Sequence, residues 1–198
     1  MTVDLSCPPW CESHRARDTN HPSAGFVHYG PELVLDIAEV VVIGVVRRIS
    51  IRVVARDQGE SRRCFIELVD PHGVGVALTA GEARRIVQML MDAADLRLTS
   101  AEGECPPWCL EHNDPDPDDP DDERVHRGLF QAMVVAGIHE PRVAVGVQVR
   151  AFDEEYEREV CLEILVKSVS TELLGAEACK IAANLLDCVD LAELVEVV

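Results

Sequence analysis

The chain has 198 residues, 47% of them apolar, 27% charged and 4% aromatic, with 36 acidic against 18 basic side chains and a formal charge of −18. That apolar fraction excludes disorder throughout, and the length suits one ordinary domain or two small ones. The longest apolar candidate, Leu33 to Val46, is broken by Asp36 and Glu39, so no membrane span is expected. A field of this sign also opposes generic binding to DNA.

Met1 to Ser6 holds one acidic residue, no basic one and no apolar signal core, which leads to the expectation of a cytoplasmic, reducing location. Cys7-Pro8-Pro9-Trp10-Cys11 follows, and it recurs unchanged as Cys105-Pro106-Pro107-Trp108-Cys109. At the same offset His14 meets His112, His28 meets His126 and Gly30 meets Gly128. The chain is therefore a tandem duplication, with one unit over 1–98 and a second over 101–198, divided near Thr99 to Glu104.

Both copies spell C-x3-C-x2-H-x13-H. Two thiolates and two imidazoles are a common tetrahedral set for structural Zn²⁺, so Cys7, Cys11, His14 and His28 are expected to hold one ion and Cys105, Cys109, His112 and His126 a second. Pro8 and Pro9 suit the first turn of a helix, and a short helix to His14 would put Cys7, Cys11 and His14 on one face. His21, in the first ligand loop, is an alternative to His28, but its counterpart is Asp119. Four saturating ligands leave no open position, and there is no H-E-x-x-H, so the expected zinc is structural and the protein is not an enzyme. A Cys7–Cys11 disulfide or redox pair is the competing reading. Trp10 and Trp108, each between two cysteines, read as packing plugs.

Strands come next. Ile49, Ile51, Val53 and Ala55 alternate with Arg48, Ser50, Arg52 and Arg56 in a half-buried strand over Arg48 to Asp57. Arg63 to Val69 and Val74 to Leu78 are its partners, joined by the turn-forming Asp70-Pro71-His72-Gly73. A helix then opens on the capping box Thr79/Glu82 and runs with Ala83, Ile86, Val87, Leu90 and Ala94 on one face. The second copy repeats the strand (Val145, Val147, Val149, Ala151) and the helix (Ala178, Ile181, Ala182, Leu185, Val189), with Leu174 in place of the capping threonine. The expected fold is α+β: two homologous units, each a Cys2His2 zinc knot, an antiparallel sheet and one C-terminal helix. One helix cannot cover such a sheet, so the copies are expected to pack as an intramolecular pseudo-dimer. Cys64, Cys161, Cys179 and Cys188 read as core residues, and His72 and His139 as surface ones.

Charge divides the copies. Residues 1–98 hold 11 basic and 13 acidic side chains, and residues 99–198 hold 7 and 23. Asp114 to Glu123 is an acidic, proline-rich run read as a solvated loop, and Arg48, Arg52, Arg56, Arg62 and Arg63 are a candidate docking stripe for an acidic partner.

The cysteine knot, the H-x-G at His28 and His126, and the closing E-A-x-x-I-x-x-x-L-x-D helix together resemble a family of small actinobacterial domains of unknown function with a CP-x-WC signature. The resemblance implies a small zinc-binding module in soluble proteins and no reaction. The chain is thus expected to be a non-enzymatic zinc protein acting through an unidentified protein partner. The alternatives are a nucleic-acid-linked regulator or acidic decoy for a DNA-binding partner, and a zinc or thiolate enzyme.

Overall fold

The computed structural model describes residues 7–16, 24–37, 47–58, 61–97, 105–113, 124–137, 142–153 and 158–196. His21, Asp119, His139, the Asp114 to Glu123 run, the Thr99 to Glu104 boundary and Ala38 to Val46 lie outside them. The first copy contributes β1 (Ser13–Ala16), β2 (Ala24–Tyr29), β3 (Leu33–Ile37), β4 (Arg47–Gln58), β5 (Ser61–Val69), β6 (Gly75–Leu78) and α1 (Ala80–Arg97). The second repeats this order as β7 (Glu111–Asn113), β8 (Arg124–Arg127), β9 (Gln131–Gly137), β10 (Val143–Asp153), β11 (Arg158–Val166), β12 (Val169–Leu173) and α2 (Gly175–Glu196). No described helix is long and apolar enough to cross a membrane.

The alternation read in β4 is present in space: Ile49, Ile51, Val53 and Ala55 are buried, as are Val145, Val147, Val149 and Ala151 in β10. Each of these long strands takes two antiparallel partners in succession along one edge. β3 pairs with Arg47 to Ile51 of β4, and β2 pairs with its far end from Val54 to Gln58. β9 and β8 divide β10 in the same way. On the other edge β5 pairs with β4 and β6 with β5, repeated as β11 and β12. The turn after β5 is built as its composition suggests. Asp70 accepts the backbone N–H groups of His72 and Val74 through Oδ1, and Gly73 adopts φ 78°, a left-handed conformation that glycine enters without a Cβ clash.

The capping box forms around α1. Glu82 accepts from the Thr79 backbone N–H at 2.7 Å, and Thr79 Oγ1 accepts from the Glu82 N–H at 3.3 Å. With Leu174 in the second copy only one half survives: Glu177 still accepts from the Leu174 N–H at 2.7 Å.

The copies meet in two ways. β6 pairs with β9 through Val76↔Gly137 and Ala77↔Ala136, which joins both sheets into one. The helices pack on each other, linked at their surface by Arg84 and Glu193. They also trade places: α1 lies mainly on β10 and β11 of the second copy, and α2 on β3, β4 and β5 of the first. A buried cluster of Trp10, Val53, Ala55 and Cys64 is accordingly closed by Ala192, Leu191 and Val195 of α2, with no residue of α1 in it. The sheet of each copy is completed by the other copy's helix.

Cys64 and Cys161 are both buried, on opposite faces. Cys64 stands opposite Ala55 on the core side, while Cys161 stands opposite Arg150. Their one-residue difference in register reverses the side on which they lie. Burial pushes the Cys161 thiol up to about 12 and the Cys188 thiol up to about 11. Cys179, read as a core residue, is instead exposed on α2.

Candidate metal centre

Each Cys/His cluster is assembled by a turn and a hairpin, not by the short helix that the prolines suggested. In the first, the Cys11 N–H donates to the Pro8 carbonyl at 2.9 Å, and Glu12 N–H then joins the sheet at Tyr29 O. In the second, Cys109 and Leu110 repeat both bonds with Pro106 and Arg127. The physical reason lies in the paired prolines. A residue before proline is disfavoured in the α region, so Pro8 cannot begin a helix that Pro9 continues. Proline is favoured at the second position of a tight turn, which Pro9 occupies. Ser13–Ala16 then pairs as β1 with β2.

This pairing places the histidines. His14 stands directly opposite His28 in the ladder, and His112 opposite His126. The thiols approach from the turn. Cys7 Sγ lies 3.6 Å from His14 Nδ1, and Cys11 Sγ 3.5 Å from His28 Nδ1. Cys105 Sγ lies 3.8 Å from His112 Nδ1 and 3.6 Å from His126 Nδ1. In each cluster all four ligand atoms lie within 4.8 Å of one another. The structure thus brings together Cys7, Cys11, His14 and His28, and separately Cys105, Cys109, His112 and His126. None of the eight cysteines is in a disulfide.

The electrostatics of the clusters favour a cation. Burial and then the neighbouring Cys7 push the Cys11 thiol above its ordinary range. A hydrogen bond with Cys109, then burial, raises Cys105 in the same direction. Two thiolates this close repel each other, and a positive ion between them reverses that penalty.

Behind each cluster stands a carboxylate that the sequence reading left out of the site. His28 is 2% exposed, and its Nε2 lies 3.0 Å from Asp57 Oδ2. His126, 1% exposed, meets Asp153 Oδ2 at 2.9 Å. Arg62 holds Asp57 through Nε at 2.7 Å, and Arg158 holds Asp153 in the same way. Burial alone would raise Asp57, but the hydrogen bonds from Arg62 and His28 outweigh it and keep the carboxyl low. Arg158, opposed in part by burial, brings Asp153 down to about 2. An ionised aspartate on Nε2 keeps the proton there and leaves the Nδ1 lone pair facing the thiols. The signal for both aspartates was in the pattern: Asp57 continues the buried parity of Ile49, Ile51, Val53 and Ala55, where a charge needs a reason.

The tryptophans are buried and pack beside the H-x-G glycines. A Cβ on Gly30 would lie 2.5 Å from Val53 Cγ1 and 3.2 Å from Trp10 Cε3, whereas one on Gly128 would come no closer than 3.3 Å to Trp108. Gly30→Ala is therefore expected to destabilise by roughly 1–3 kcal/mol, as overpacking does, and Gly128→Ala by less. Thermal unfolding of the two variants checks the order.

A family model matches the chain twice, over residues 1–98 and 96–195, under the description of a domain of unknown function (DUF6907). Among curated proteins and among solved structures the comparisons found no match.

Proposed function

We propose that this chain, which belongs to that domain family through both of its halves, is a non-enzymatic protein that holds two structural zinc ions and acts through a protein partner. The size of the cages carries the metal reading. Zn–S bonds of about 2.3 Å and Zn–N bonds of about 2.0–2.1 Å set the S···N edge of a tetrahedron near 3.6 Å. Four S···N separations, Cys7–His14, Cys11–His28, Cys105–His112 and Cys105–His126, run from 3.5 to 3.8 Å, and all ligand atoms of a cluster lie within 4.8 Å of one another. Cys7, Cys11, His14 and His28 would hold one ion, and Cys105, Cys109, His112 and His126 the other. Bound zinc supplies a fixed cross-link between turn and hairpin, and four protein ligands leave it no place for a reacting water.

Asp57 and Asp153 then act through their histidines as positioning residues. Asp57→Asn should weaken zinc binding in the first cluster by about 10–100-fold, and Asp153→Asn should do the same in the second. Competition with a chromophoric chelator measures both. Zinc-edge absorption fine structure tests the reading itself: equal sulfur and nitrogen shells support it, and an oxygen-rich shell overturns it.

Divergence beside the knots supports the partner reading. Leu110, Leu129 and Phe130 are exposed next to the second knot, where the first copy has Glu12, Pro31 and Glu32. Exposed apolar residues grouped in this way suit a protein contact. The copies themselves, with exchanged helices, read as an intramolecular pseudo-dimer in a cytoplasmic protein. The arginine stripe gives the nucleic-acid alternative little support, because Arg48 faces Asp36, Arg52 and Arg56 face Glu67, and Arg62 holds Asp57.

A further inference from the structure

Beside the first knot lies an open cavity of about 480 Å³ lined by Ser13, His14, Arg15, Tyr29 and Arg52. No carboxylate lines it. Arg52 is fixed from behind: its Nε and Nη2 both donate to Oε2 of buried Glu67, at 3.0 and 2.8 Å, and its guanidinium lies 4.7 Å over the Tyr29 ring. That arrangement spends one edge of the guanidinium and leaves Nη1 available. Arg15 is exposed on β1 and its side chain has no ion pair among the described residues. Ser13 and Arg15 share the strand face of Tyr29 and Arg52, whereas the His14 side chain lies with His28 on the opposite face, toward Cys7.

We propose that this cavity binds a phosphate group, free or carried on a small molecule. Arg15 and the unspent edge of Arg52 supply the charge, and the Ser13 hydroxyl supplies a directed donor. Two guanidinium groups and a hydroxyl suit the three oxygens of a tetrahedral anion better than the two of a carboxylate. The second copy places Glu111, His112, Asn113, Arg127 and Gln148 at the corresponding positions, so the site occurs once per chain.

The test is an NMR titration of the full-length protein with inorganic phosphate at constant ionic strength, after its metal content has been measured. Saturable shifts are expected at Ser13 to Arg15 and Tyr29, and none at Glu111 to Asn113. Arg15→Ala should weaken the binding about tenfold, the worth of one charge-assisted hydrogen bond, and Arg15→Lys should restore part of it. Acetate should bind more weakly than phosphate. Absence of saturation, equal affinity in Arg15→Ala, or an equal response at the second knot would overturn the proposal. Protein isolated without metal would refute the zinc reading, while phosphate binding that Arg15→Ala weakens in that same sample would still sustain the cavity.

Discussion

Removing zinc, by chelation or by Cys11→Ser with Cys109→Ser, should unlock both knots while the joined sheet and its helices persist. The expectation follows from how little else holds these segments. β1 and β7 are exposed along their whole lengths, and among the described residues each has only one neighbouring strand. In the turns Pro8, Trp10, Pro106 and Trp108 are buried, and Cys11 and Cys109 pack at the edge of the core. Structural zinc in small peptides contributes on the order of 10–16 kcal/mol at neutral pH, as much as a whole domain's usual stability. Hydrogen exchange should therefore lose protection at the Cys11, Glu12, Cys109 and Leu110 amides, while those of β4, β5, β10 and β11 keep theirs. Unchanged protection at the knots after metal removal would contradict the assignment of their stability to zinc.

Cutting the chain between its copies should not separate them. With a protease site placed within residues 98–104 and cleaved in the folded protein, the two fragments are expected to co-elute at the size of the intact chain. Three features require this. β6 and β9 share a ladder, α2 closes the cluster around Trp10, and one continuous buried core joins Ile49, Ile51 and Leu68 to Ile181, Leu185 and Val189. Separation would strip each sheet of the helix that covers it. Burial of even ~800 Å² of apolar surface is worth roughly 20 kcal/mol before association costs. Fragments that part without denaturant would show that the helix exchange does not hold the copies together.

Much of this was legible because duplication served as an internal control. The repeated Cys and His spacing identified all eight residues that converge, and the period of two in β4 identified its buried face. The knots' local structure was not legible. The prolines read as a helix start, although the α-region penalty on Pro8 before Pro9 favours a turn, and the pairing of β1 with β2 then draws the chain into a hairpin. That ladder also places His14 opposite His28, a relation invisible at fourteen residues' remove. Asp57 and Arg62 were read as strand and stripe because ion pairing to a histidine is a tertiary fact. The helix exchange was hidden for a related reason. The apolar stripe of α1 says that it must be covered, but the same stripe fits either copy's sheet.

The central claim is that each knot holds one zinc ion, and native mass spectrometry of the full-length protein, purified without added metal or chelator, tests it most directly. The predicted result is a single folded species carrying two zinc ions per chain, falling to one when Cys11→Ser disables the first knot alone. A folded species with no metal, or one whose zinc content Cys11→Ser leaves at two, would contradict it.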